Sequence, residues 1–423
     1  MPQHILPGSN KTGAVSIEDL AAQWGRIPIY TPEFVADPRR QYREMRARYR
    51  TLAPVELAPG LNSTLVIDYR TAVAVLNDFE HFSADPRAWQ QTLTDAQRRS
   101  WDIYPMVEWR PNALRSNGPE HDRYRAATSA ALARIDQLGV RRLVTRTAIS
   151  TINTFCQDGR ADLLSQYCSP VTFEVIATIL GCTPALATHL AAASAALFDG
   201  RDTANQMFDE ALRELTRRKR TNPGADIASW LVQHEARLDD DEMVHQLLTI
   251  VSAAVEIPTN LAANTLLLIL TQPHRFTAST VNSLPCTTGA AIDETLITNT
   301  PMANYCVVYP RQPQRVGNIW LPPHQPVVTS MAAINDSPEI NTGRYFDNRS
   351  HVAFGTGPHA CPHPARRIAL WMVEDVVDEL LDRLPEMRLE VPESQLTWRP
   401  GPLHRALTAL PVTFPATAPF ALL

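Results

Sequence analysis

Towards its carboxyl end the chain reads AFGTGPHACPHPARRIAL, which sets Phe354, Gly355, Gly357, His359 and Cys361 in one short stretch with the spacing F-x-x-G-x-H-x-C. Cys361 stands just before a helix predicted to begin near Pro364. There the unsatisfied N–H groups and the positive end of the helix dipole favour a thiolate, which is both a nucleophile and a strong metal ligand. An isolated cysteine would more often be an inert buried thiol, but here four spaced neighbours agree. A zinc site built from His359, Cys361 and His363 lacks the second, separated ligand pair that structural zinc requires.

Two further segments carry residues that could act together. In SNGPEHDRYRAATSAAL, His121 and Arg125 lie four apart on one helix face and can donate to the same carboxylate. In LLTIVSAAVEIPTNLAANTLLLIL, a helix apolar all round contains Glu256, whose carboxylate there needs a partner or a purpose. Pro258 cannot donate to the carbonyl of Ala254, so a kink is predicted at that point. Thr259 lies two residues beyond Ile257, about 200° around the helix from it.

Taken together these segments resemble the cytochromes P450 of the bacterial soluble type, over about Thr31 to Phe414. The resemblance implies haem b, with Cys361 as the iron ligand. Gly355 and Gly357 would let the loop turn closely under the porphyrin, and Phe354 would shield the sulfur. His121, Arg125 and His359 would grip the propionates. Ala254 would lie against the haem, and Glu256 with Thr259 would take part in proton delivery.

The chain departs from the family pattern at three positions. Ile257 stands where an alcohol is usual, Ile297 where the arginine of E-x-x-R is usual, and Val308 where a propionate-binding arginine is often found. An actinobacterial subgroup that also lacks the E-x-x-R arginine shares the Pro258-Thr259 pair and the CPHPA run. Glu294, without its usual partner, is predicted to find Arg344 or a backbone N–H, because an unpaired buried charge is costly. Arg311 is a further candidate near the propionates.

The elements that must position these groups are mostly helices. Asp37 to Tyr49 and Tyr69 to Phe79 have helical spacing, with a strand hairpin between them. Asp122 to about Leu270 reads as helix almost throughout, broken at Gly159, Ser169-Pro170, Thr183-Pro184, Gly200 and Asn222-Pro223-Gly224. Extended, proline-punctuated runs follow Pro301, then a long helix from Ala365 to Leu384, then a strand-like ending. The predicted fold is mainly α with a minor β region, one P450 domain over residues 31–423 preceded by an extension at residues 1–30. The stretch holding Trp89, Trp101, Tyr104 and Trp109 has no clear periodicity and could cover a pocket.

Of 423 residues, 44% are hydrophobic and 20% charged, enough to bury a large core. A net charge of -5 argues against nucleic acid as the main partner. Met1 to Gly13 lacks the apolar core of a secretory signal, and no uninterrupted apolar run reaches about 20 residues, so a cytoplasmic protein without a membrane span is expected. The six cysteines show no paired spacing and are expected to be reduced.

The resemblance implies O2 activation and oxidation of a small organic molecule, with electrons from a ferredoxin and its reductase, since no G-x-G-x-x-G run is present. Arg366 and Arg367 are candidate contacts for that donor. Hydroxylation and oxidative C–C or C–N coupling of an aromatic secondary metabolite are both open. A haem-binding recruitment module without turnover is the alternative.

Overall fold

The computed structural model describes residues 14–198, 204–276, 287–345 and 348–422. Met1 to Gly13, the expected break at Gly200 and the thiol of Cys286 lie outside them.

The architecture is organised around one helix, Asp240–Thr271, 32 residues long. Asp239 caps it with a reciprocal pair of bonds to Glu242, and Asp240, Asp241 and Glu242 place negative charge on the positive end of its dipole. The assigned helix runs through Pro258. From Pro258 to Leu267 every residue is buried, whereas Ala254 to Ile257 are only partly covered. By length and composition this helix could cross a membrane, but it is the core helix here. Helices Ser169–Leu180, Ala204–Thr221, Thr288–Thr298 and His363–Arg383 pack against it. The largest apolar core, with Leu261, Leu266, Val373 and Val376, forms between them.

A six-stranded mixed sheet flanks the helices, in the order Ile27–Pro28, Leu52–Glu56, Asn62–Val66, Val327–Ser330, Asn304–Pro310 and Phe82–Ser83. The hairpin expected after Tyr49 is the antiparallel pair Leu52–Glu56 and Asn62–Val66. Val327–Ser330 lies parallel to Asn62–Val66 and antiparallel to Asn304–Pro310.

Three expectations are corrected. The part of the expected extension that is described is no appendage: Val15–Ser16 pairs with Ile319–Trp320, Ile27–Pro28 joins the large sheet, and Ile17 is fully buried. Ser169-Pro170 does not interrupt the helical run: the α-helix Ser169–Leu180 starts there with Pro170 in its first turn, and a π-turn at Leu164–Cys168 leads straight into it. The ending holds only one short strand, Pro411–Thr413, and two isolated bridges, with an irregular loop around Arg399 to Arg405.

Candidate active site

The loop from Phe354 to Cys361 is a succession of tight turns. The N–H of Gly355 donates to the Val352 carbonyl at 2.9 Å, that of Ala360 to Gly357 at 3.1 Å, and that of Cys361 to Phe354 at 2.9 Å. Gly355 and Gly357 have φ of 69° and 76°, conformations that disfavour any side chain. A Cβ at Gly357 would meet the Leu76 carbonyl at 2.3 Å, so this glycine seats the loop on the end of helix Tyr69–Asn77. At Gly355 a Cβ would sit 3.2 Å from the Cys306 sulfur.

Cys361 precedes Pro362, the cap of helix His363–Arg383. Its sulfur makes one weak contact, 3.8 Å to the Pro362 carbonyl. The residue is exposed at its own surface, yet burial by the surrounding protein pushes its thiol up to about 11, against the pull of Arg125 and Arg366. Burial opposes the thiolate that the helix terminus favours, and a bound cation beside the sulfur would favour it.

The residues expected to act from opposite sides come together. The rings of His121 and His359 lie 4.3 Å apart between centroids. His359 Nε2 is 2.9 Å from the Ser116 carbonyl, and burial lowers its pKa to about 4. His121 is buried on helix Gly118–Ala133, and its Nε2 has no hydrogen-bond partner among the described residues. Arg125, one turn further on, donates to the Ala360 carbonyl and so ties this helix to the Cys361 loop. The Arg366 guanidinium covers the Phe354 ring at 4.6 Å, and Arg367 covers Trp371 at 4.6 Å.

On the central helix the carboxylate of Glu256 is bonded to Arg399 and accepts from Asn260 Nδ2 at 2.8 Å. Its partner is an arginine of the irregular C-terminal loop. Ala254 is half-buried on the partly covered segment. Thr259 is buried beyond that segment, and its hydroxyl has no partner among the described residues.

Glu294 is paired with neither Arg344 nor a backbone N–H. Arg275 binds both of its carboxylate oxygens, at 3.0 and 2.5 Å. Val308 is buried in its strand, and Arg311 bonds the Phe79 carbonyl at 3.4 Å. A buried cation missed by sequence reasoning is Arg115, which donates to the Tyr305 hydroxyl at 2.9 Å and acts electrostatically on His359. Nothing in PNALRSNGP distinguishes it from a surface arginine. Trp89 and Trp101 stack 6.4 Å apart in the core beside the sheet, and the Trp101 indole donates to the Pro59 carbonyl. Trp109 is covered by Arg87 at 4.8 Å.

The donor set fits a haem. It offers a thiol without a strong partner, a buried imidazole nitrogen without one, Arg125 and Arg115 nearby, and a glycine-shaped loop under the sulfur.

Comparison with known proteins points the same way. The chain is 28% identical over 400 residues to the cytochrome P450 monooxygenase PikC of Streptomyces venezuelae, covering 90% of this chain and 92% of that protein. It is 26% identical over 407 residues to cytochrome P450 107B1 of Saccharopolyspora erythraea, covering 92% and 98%. The solved structure of CYP154C4 from a Streptomyces species superposes with a TM-score of 0.79 at 26% identity, over 94% of this chain and 99% of that one. No protein-family model matches. The chain is a cytochrome P450 of the bacterial type, an oxidoreductase whose cofactor is haem b.

Proposed function

We propose that this P450 takes electrons from a ferredoxin and its reductase and oxidises a small organic substrate, with aromatic secondary metabolites the class to test first. The observation that carries the reading is the Cys361 sulfur, held without a strong partner above a loop that Arg125 ties to the helix of His121. When bound there, a thiolate-ligated haem supplies O2 activation, the sulfur's electron density favouring O–O cleavage.

In this reading His121, Arg125, His359 and the unexpected Arg115 bind the propionates, and Phe354 keeps water from the sulfur. Ala254 leaves room on the distal side. Glu256 is the nearest acid on the partly covered segment, and Arg399 holds its carboxylate in place. Ile257 offers no hydroxyl to pass a proton on. That arrangement favours oxidative C–C or C–N coupling over plain hydroxylation, since coupling depends less on a proton relay in its later steps. Arg367, exposed on the first turns of the helix after Cys361, is available to an acidic electron donor. A ferredoxin donor implies a single catalytic domain working in the cytoplasm.

The reading is tested by the absorption of the reduced carbon monoxide complex. The wild-type protein is expected to show the red-shifted band of a thiolate ligand, and Cys361→Ser to lose it. Survival of that band in the variant would refute the assignment.

A further inference from the structure

A second cleft, of about 440 Å³, opens between the amino-terminal helices, the end of helix Thr288–Thr298 and the irregular C-terminal loop. Cys361 does not line it. Its volume is that of a site for a small organic molecule. Two arginines face it from different parts of the chain. Arg39 donates to the Thr298 carbonyl at 2.7 Å, and Arg405 donates to the Val35 carbonyl at 2.5 Å. Neither has a carboxylate partner among the described residues.

Arg405 is braced for planar recognition. Its guanidinium lies 3.5 Å from the centre of the Trp398 ring, which leaves its edge for hydrogen bonds. Burial disfavours its charge, so an unpaired Arg405 is costly and an anion beside it would relieve that cost.

A second, independent observation points to a ligand. Thr300 lines the cleft at 2% exposure, and its hydroxyl has no hydrogen-bond partner among the described residues. His404 Nε2, which also lines the cleft, is likewise buried without a partner among the described residues. Unmade bonds at buried polar atoms are expensive, and two lining one cleft mark where a polar ligand would be held. The acids of the cleft bond neither arginine, although Asp37 acts on Arg405 electrostatically. Asp336 is bound to Arg46 at 3.1 Å, Asp37 to Arg40 at 3.3 Å, and Glu393 is exposed at the rim. Phe34, Tyr42 and Leu267 add apolar surface.

We propose that this cleft binds a small organic carboxylate, its anionic end between Arg39 and Arg405 with Thr300 and His404 donating, at a site separate from the one at Cys361. The test is calorimetric titration of the holoenzyme with phenylacetate, with 2-phenylethanol as neutral counterpart and inorganic phosphate as an anion without the apolar part. All titrations are run with 4-phenylimidazole saturating the iron, so the haem pocket is occupied. Phenylacetate is expected to bind one site, and 2-phenylethanol and phosphate much more weakly. Arg39→Gln should weaken phenylacetate about tenfold or more, the loss typical of a charged hydrogen bond. Thr300→Val, which keeps the side-chain shape, should weaken it several-fold while leaving the thermal midpoint unchanged or raised. Binding that 4-phenylimidazole abolishes, or that both variants leave unchanged, would overturn the proposal. So would phosphate binding as tightly as phenylacetate. A colourless protein would count against the haem assignment and leave the calorimetric result to be read by itself.

Discussion

Arg275 grips Glu294 through both carboxylate oxygens, and in doing so supplies the cation that the residue one turn along the same helix, Ile297, does not. Glu294 is 6% exposed, so its charge depends on this partner. Arg275→Met should therefore destabilise the protein by about 2–4 kcal/mol, read as a lower midpoint in thermal or urea unfolding. Adding Glu294→Gln to that variant should recover part of the loss, because the uncompensated charge is then gone.

Gly357 is the tightest point of the loop under the sulfur. Gly357→Ala forces a methyl group against the Leu76 carbonyl from a backbone conformation that alanine resists. A cost of about 2–4 kcal/mol is expected from the two effects together. Haem content per chain after expression should fall with it, while Gly343→Ala, with open space around its Cβ, should cost only the backbone term.

His351 and His404 set an acid limit on stability. Burial, with Arg366 acting on the first and Arg399 on the second, lowers each pKa to about 4 in the folded protein, against 6.5 for an ordinary histidine. The unfolded chain thus binds more protons between those values. Their contribution is complete above about pH 6.5 and is lost as the pH falls through about 4. Unfolding midpoints measured from pH 7 to 4.5 should decline, and His351→Gln should flatten that decline.

Ile257→Thr separates the two chemistries. If the enzyme hydroxylates, restoring an alcohol beside Glu256 should raise the fraction of consumed O2 recovered as product. In a coupling enzyme that fraction should hardly change. Oxygen-electrode and product measurements on the same samples decide.

Much of this site was legible because its parts are local in sequence. The spacing from Phe354 to Cys361 and the four-residue step from His121 to Arg125 are set by one loop and one helix turn. What lay hidden depends on contacts between distant segments. Arg399 reaches Glu256 from 143 residues away, and Arg115 meets Tyr305 across 190. No periodicity encodes such pairings. Arg275 is only 19 residues from Glu294, but the two stand on different helices, and sequence cannot give the angle between them. The place of Trp89 and Trp101 stayed open because an aromatic residue in an irregular stretch can pack in a core or face a cavity equally well.

The register of the sheet also bears on how the chain is made. Val15 pairs with Ile319, and Thr64 with Val327, so the first strands leave the ribosome long before their neighbours exist. Until then Ile17 and Leu65, fully buried in the finished molecule, lack the part of their cover that Leu321, Val327 and Val328 supply. Nascent chains of this P450 should accordingly depend on chaperones that shield apolar segments, and stalled products ending before Val327 should aggregate.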